Sequence, residues 1–171
     1  MHEQEQLAIR PATPSDAGII AEHRAAMFRD MGQLPSDADY ARLREASEAW
    51  LTGLFISDQY IGWLVEDDLR IVAGGGILIR EQLPVPGCCK IGPCAHIMNV
   101  YTSPAYRRRG LARRLLILML QWCVMQKMNQ VTLTASNDGR SLYESLGFQP
   151  TSDMRLVLVG DTDRTQPIGV E

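Results

Sequence analysis

The segment from Tyr106 to Leu116, YRRRGLARRLL, crowds Arg107, Arg108, Arg109, Arg113 and Arg114 around what reads as the first turn of a helix. A helix start carries unpaired N–H donors and a partial positive charge, so it favours anions and disfavours cations. Arginines become tolerable there when an anion shares the site, because they then act as its partners. Gly110 and Ala112 are the small residues of the turn. Glycine reaches unusual dihedrals, and neither residue carries bulk that would block a phosphate approaching the backbone. Three chemistries compete for this segment. A nucleoside-triphosphate loop needs GxxxxGK[ST], which does not occur. A nucleic-acid grip would use the same arginines, but the helix that follows is too apolar to lie in a groove. A cofactor carrying a pyrophosphate, held by backbone amides, fits best.

A second group of reactive side chains lies just upstream. In CCKIGPCAH, Cys88, Cys89 and Cys94 stand near His96. Zinc sites usually show paired CxxC or HxxxH spacing, and neither is present, so no metal is expected. Cys123 falls inside an apolar helix and reads as a small core residue.

These residues need a frame to hold them. The chain has 171 residues, 46% of them apolar and 22% charged, which reads as one globular domain over 1–171 with a real core. A net charge of −3 excludes a polycation that binds nucleic acid throughout, so any basic function is local. The longest apolar run, Leu115–Leu120 and then Trp122–Met125, is shorter than the roughly 20 residues of a membrane span. The polar, acidic N-terminus lacks a signal peptide, and the expectation is a cytoplasmic protein without a membrane partner.

Leu7–Pro11 reads as a strand, and Thr13-Pro-Ser-Asp as a start signal for a helix over Ala17–Met31. A second helix is expected over Asp37–Phe55, with Tyr40, Leu43, Ala46, Trp50 and Leu54 on its inner face. Gly62–Glu66 and Ile71–Ile79 form a hairpin across Asp67-Asp68. Within the second strand, Gly74–Gly76 predicts a bulge, a plain bend or close approach by another backbone or a ligand. Leu83–Pro93 is a loop, Ala95–Thr102 a strand, and the arginine segment opens a long helix reaching about Met128. Gln130–Ala135 and Met154–Val159 are further strands. Between them Asn137 and Asp138 are expected to cap a short helix ending near Gly147, and the tail after about 160 is irregular. Helices that interleave with strands around a hairpin imply an α/β fold with a mixed sheet.

At this point the residues resemble a known family. RRRGLA fits the acyl-CoA-binding pattern R/Q-x-x-G-x-G/A of the GNAT N-acetyltransferase superfamily, with Arg107, Gly110 and Ala112 at the pattern positions. IMNVYTSPAY resembles the strand that precedes this loop in the family, and NDGRSLYESLGF its closing N…A..LYE.LGF element. Two motifs in the right order are more specific than either alone. The resemblance implies a mixed, mostly antiparallel sheet flanked by helices, with the fourth and fifth strands splayed apart. It implies acetyl-CoA as cosubstrate and an amine of a small molecule or peptide as acceptor, and it leaves a homodimer open.

Carried over residue by residue, Val100, Tyr101 and Thr102 would bind the pantetheine arm and the acetyl carbonyl. The amides of Arg108, Arg109, Gly110, Leu111, Ala112 and Arg113 would cradle the pyrophosphate, beside Arg107, and Asn137 would touch the arm from the other side. Tyr143 matches the family tyrosine near the sulfur, and a phenol of pKa about 10 can protonate a thiolate of pKa about 8.5. The attacking amine must also be neutral, which calls for a base. His96 is one candidate. Strand alternation would put it on one face with Met98, Val100 and Thr102, and a purely hydrogen-bonded histidine is the alternative. His23 is the other, its alternative being a solvated helix face. The alternative to an enzyme is a CoA-binding sensor without catalysis.

Overall fold

The computed structural model describes residues 7–154. Its strands are β1 (Ala8–Pro11), β2 (Tyr60–Asp67), β3 (Arg70–Glu81), β4 (Pro93–Thr102) and β5 (Val131–Leu133); its helices are α1 (Ala17–Asp30), α2 (Asp37–Ile56), α3 (Leu111–Met125) and α4 (Arg140–Ser145). The strands form one sheet in the order β1-β2-β3-β4-β5. All neighbours are antiparallel except β4 and β5, which run parallel. This is the expected mixed, mostly antiparallel sheet flanked by helices. The expected strand at Met154–Val159 lies, apart from Met154, outside the described residues. Chain contacts separate a larger unit ending at Asn137 from a smaller one beginning at Asp138.

In the larger unit, α1 and α2 cover one face of the sheet. Ile20 and Ala21 of α1, Leu51 of α2, and Tyr60 and Leu64 of β2 form a buried cluster, with Met98 of β4 packed against it. The other face is covered by α3, whose Leu111, Leu115, Met119 and Cys123 recur every fourth residue and are all buried, together with Leu116. Each of these leucine and methionine side chains contributes roughly 1.5–3 kcal/mol by leaving water. Trp122 meets Trp63 of β2 edge-on at 6.1 Å between ring centres, which fixes α3 against the sheet.

The start of α1 follows the signal at Thr13. The Asp16 carboxylate accepts from the Thr13 backbone N–H at 2.8 Å and from the Thr13 hydroxyl at 2.9 Å. It is also held by Arg10 of β1, which reaches Glu66 of β2 as well. The Arg10 guanidinium keeps the Asp16 carboxyl far below the usual carboxylate range.

Several sequence expectations shift. The inner face of α2 runs through Tyr40, Leu43, Ser47, Leu51 and Leu54, whereas Ala46 is exposed and Trp50 is 42% exposed. Large apolar residues on both sides of that helix made its face ambiguous from spacing alone. Helix α3 stops at Met125 rather than Met128. Lys127 takes a left-handed φ of 55°, its N–H bonding to the Val124 carbonyl while the Met128 N–H reaches Cys123. That is a Schellman ending with lysine where glycine is usual.

The smaller unit holds α4. Its N-cap is Gly139, with no side-chain capping bond, so neither Asn137 nor Asp138 caps it. The expected end near Gly147 is observed, with Gly147 at φ 93°.

Candidate functional site

Strands β4 and β5 pair through only three residues of each, Ala95↔Val131, His96↔Thr132 and Ile97↔Leu133. β4 continues to Thr102, so from Met98 onward its β5-side edge has no strand partner among the described residues. Backbone N–H and C=O groups require hydrogen-bond partners, and this opening is where an extended ligand can supply them. The expected splay is therefore present.

Inside the opening β4 carries a bulge. Gly74 pairs with Tyr101 and Gly76 with Met98, so Asn99 and Val100 together oppose Gly75. Asn99 adopts φ 57°, a left-handed conformation that asparagine tolerates better than most residues. The triple glycine answers on the facing strand. A methyl group at Gly76 would stand 2.2 Å from the Tyr60 hydroxyl, and one at Gly74 2.8 Å from Leu64. Of the sequence readings of this tract, a bulge in the pairing is found, and the close approach is made by side chains of β2 rather than by another backbone or a ligand.

The bulge corrects the expected alternation. His96 and Met98 face α1 and α2, as Met98 packing against the Ile20–Leu51–Tyr60 cluster shows. Val100 instead lies beside Met119 of α3 at the Gly75 position. Tyr101 then returns to the α1 side, its ring 5.0 Å from that of His23. One extra residue inverts the face of everything after it. His96 and Val100 are thus on opposite faces.

Beyond β4, a 3-10 turn over Pro104–Tyr106 leads to Arg107 in extended conformation. Arg108 and Gly110 then take left-handed φ values of 63° and 76°. Gly110 is the N-cap of α3, and its carbonyl accepts from the Arg114 N–H at 3.0 Å. The amides of Leu111 and Ala112 therefore lie in the first turn, ahead of the first intrahelical bond, where the helix dipole is positive. Nothing stands within 4 Å of where a Gly110 side chain would begin, so the approach is open.

The arginines divide in their roles. Arg107 donates from Nε to the Thr102 carbonyl at 3.0 Å and pairs with Asp30 at the end of α1. Asp30 is also the main reason its basicity is raised. Arg109 donates to the Ala105 carbonyl at 3.1 Å and lies over the Tyr106 ring. These two brace the loop, while Arg108 and Arg113 have exposed side chains beside the helix start.

On the α1 side, His23 is buried at 6% exposure, not on a solvated helix face, and burial lowers its pKa. The half-buried His96 shares a 2.8 Å hydrogen bond between Nδ1 and the Thr132 hydroxyl. Burial, then Arg80 and Arg24, push its pKa below 6.5, which keeps the imidazole neutral at pH 7. The Thr102 hydroxyl is buried with no hydrogen-bond partner among the described residues. Asn137, the last residue of the larger unit, is exposed. In the smaller unit, Tyr143 packs edge-on against Phe148 at 6.2 Å, and burial raises its pKa, so the phenol stays protonated at neutral pH.

Sequence reasoning missed Asn99 and Tyr60, which meet Arg24 of α1. Arg24 Nη1 donates to Asn99 Oδ1 at 2.9 Å, and Asn99 Nδ2 reaches the buried Tyr60 hydroxyl at 3.4 Å. An asparagine opposite a triple glycine was the available signal. No three His, Cys, Asp or Glu side chains among the described residues are grouped to hold a metal. An open groove of about 510 Å³ lies away from this region, between Trp63 of β2 and Ile117, Leu118 and Gln121 of α3. It offers no group for acyl chemistry.

The model of the acetyltransferase (GNAT) family matches residues 22–148. The chain belongs to this family. As a GNAT acetyltransferase it is an enzyme of acetyl transfer that uses an acyl-CoA cosubstrate. No curated protein matches it in sequence. A GCN5-related N-acetyltransferase from Ralstonia eutropha JMP134 is 27% identical, with 90% of this chain and 99% of that one covered and a TM-score of 0.83. A predicted acetyltransferase from Clostridium acetobutylicum, solved with acetyl-CoA, is 23% identical over 89% and 96% of the two chains, with a TM-score of 0.77. Glucosamine-6-phosphate N-acetyltransferase from Arabidopsis thaliana shares the fold at 20% identity, 90% and 98% coverage and a TM-score of 0.61. No helix among the described residues is long and apolar enough to cross a membrane.

Proposed function

We propose that the chain, acting as one acyltransferase domain, moves an acetyl group from acetyl-CoA to an amine of a small molecule or peptide. The amine attacks directly in a ternary complex, without a covalent acyl-enzyme. The observation that carries this reading is the continuity of β4: its edge, without a strand partner among the described residues from Met98 onward, leads through the Arg107–Gly110 loop into the N-terminus of α3. One continuous track thus offers backbone groups to an extended arm and helix amides to a pyrophosphate.

Along that track, Val100, Tyr101 and Thr102 hold the arm and polarise the thioester carbonyl, so that charge developing on its oxygen meets preorganised donors. The amides of residues 108–113 hold the pyrophosphate, with Arg108 and Arg113 adding charge. Arg107 contributes by holding the loop to Asp30 and Thr102. Asn137 touches the arm. Neutral His96 receives the proton of the incoming ammonium, and Tyr143 returns a proton to the departing thiolate, the role its LYE motif suggests.

Calorimetry with acetyl-CoA and thiol release across an amine panel test the reading. Gly110→Val, which cannot adopt φ 76° without strain, is expected to weaken acetyl-CoA binding by at least about 10-fold. Tyr143→Phe should lower kcat about 100-fold with acetyl-CoA affinity unchanged. The rate should fall on the acid side below pH 6.5 as His96 protonates and on the alkaline side above pH 10.0 as Tyr143 ionises. His96→Gln should abolish the acid limb. Saturable binding without thiol release from any amine would make the chain a CoA sensor instead.

A further inference from the structure

Of the three part-buried arginines among the described residues, Arg10, Arg24 and Arg44, only Arg24 lacks a carboxylate partner. Arg10 pairs with Asp16 and Glu66, Arg29 with Asp37, Arg42 with Asp39, Arg44 with Glu22 and Glu48, and Arg107 with Asp30. Arg24 is part-buried on α1, yet no carboxylate among the described residues lies within 4.0 Å of it. One of its five N–H donors goes to Asn99 Oδ1, and its guanidinium carbon sits 5.0 Å from the centre of the Phe28 ring. Withdrawing a cation from water without a counterion is costly, and neither an amide oxygen nor an aromatic face replaces a carboxylate.

The surroundings explain why the charge is held there. Asn99, which Arg24 grips, is the bulged residue of β4, directly before Val100, Tyr101 and Thr102. Asn99 is itself fixed by the Tyr60 hydroxyl. Arg24 also lies close enough to His96 to lower its basicity. A planar guanidinium with free donors beside the acyl-transfer strand is suited to grip two oxygens at once.

We propose that Arg24 receives its counterion from the acceptor: the amine acetylated by this protein carries an anionic oxygen group, a carboxylate or a phosphate, that binds the Arg24 guanidinium. This rests on the acetyltransferase reading above and adds the substrate class to it. Arg24 is a specificity residue, and Asn99 and Tyr60 are its positioning residues. Uniformly cationic amines are poor acceptors, because they would meet a like charge beside the strand.

Matched pairs of amines decide the matter, with acetyl-CoA binding first verified by calorimetry. L-Phenylalanine against its amide tests a carboxylate, and glucosamine 6-phosphate against glucosamine tests a phosphate; spermidine represents the cations. One anionic member should exceed its neutral partner in kcat/KM by roughly 30-fold or more. Arg24→Gln should collapse that ratio by raising KM for the anionic amine, and Arg24→Lys should restore part of it. Acetyl-CoA affinity should not change in either variant. The melting temperature of ligand-free Arg24→Met should hold or rise, as expected when an unpaired cation is removed.

Equal rates for both members of each pair overturn the proposal, as do better rates with spermidine or a ratio that survives Arg24→Gln. A large drop in melting temperature would make Arg24 structural and also overturn it. Should no amine turn over, stabilisation of the acetyl-CoA complex by phenylalanine or glucosamine 6-phosphate, lost in Arg24→Gln, supports it, and its absence overturns it. Failure of acetyl-CoA to bind removes the acetyltransferase reading itself, which separates the two failures.

Discussion

Arg10 and Arg24 stand on consecutive elements of the same unit in opposite electrostatic situations. Arg10 lies between two carboxylates at the corner where β1, β2 and the start of α1 meet. Its partner Asp16 is further tied to Thr13. Every charge there is answered within the chain, and the result is a joint that closes the N-terminal end of the fold. Arg24 has an amide oxygen and an aromatic ring. Around it the chain accumulates costs: a left-handed asparagine, three consecutive glycines and a buried tyrosine hydroxyl held by that asparagine. The compensated charges of the Arg10 corner hold the molecule together, and the part-buried guanidinium without a carboxylate marks where the proposed acceptor would bind.

Substitutions can break or sharpen this contrast. The largest effect is expected at Gly76. A methyl group there would stand 2.2 Å from the Tyr60 hydroxyl. Gly76→Ala must therefore displace a buried ring and should cost about 3 kcal/mol in a denaturant titration. It should also remove acetyl transfer, because Tyr60 supports Asn99. Full activity in that variant would separate the bulge from function and break the contrast.

A smaller effect belongs to the corner. Asp16→Asn should cost about 1–2 kcal/mol at pH 7, a figure kept low because Arg10 is 34% exposed, and should leave acetyl transfer untouched. The Asp16 carboxyl is held below its ordinary 3.8, so its contribution is present in full above that pH. It is lost as pH falls further, towards the folded-state value. Melting curves of wild type and Asp16→Asn should therefore converge below pH 3.8. The smallest effect lies outside both regions. Lys127→Gly relieves a left-handed lysine at φ 55° and should stabilise by about 0.5–1 kcal/mol without changing turnover.

Where a feature depends on one stretch of chain, the sequence displayed it. The start signal at Thr13 located α1, helical spacing α2 and a long apolar run α3, the acidic turn located the β2–β3 hairpin, and the small residues at 110 and 112 located the loop that opens α3. Features that depend on two stretches were hidden. The bulge at Asn99 exists only relative to the register of β3, so a strict period of two placed Val100 on the wrong face. The choice between Ser47 and Trp50 as the inward side of α2 depended on what Tyr60 and Leu64 already filled. Burial of His23 likewise required knowing that Tyr101 lies across from it. The lone charge of Arg24 could be recognised only after every acidic residue nearby had been placed.

The short pairing of β4 with β5 has a consequence for the protein as a material. From Met98 to Thr102 one edge of a central strand has no strand partner among the described residues, and an unpaired strand edge is the kind that templates aggregation. In the proposed complex the amide groups of the pantetheine arm would occupy that edge as an additional strand. Acetyl-CoA would then act as a guard of the sheet as well as a reactant. Its presence should slow hydrogen exchange at Val100, Tyr101 and Thr102 and delay clouding of concentrated solutions on warming.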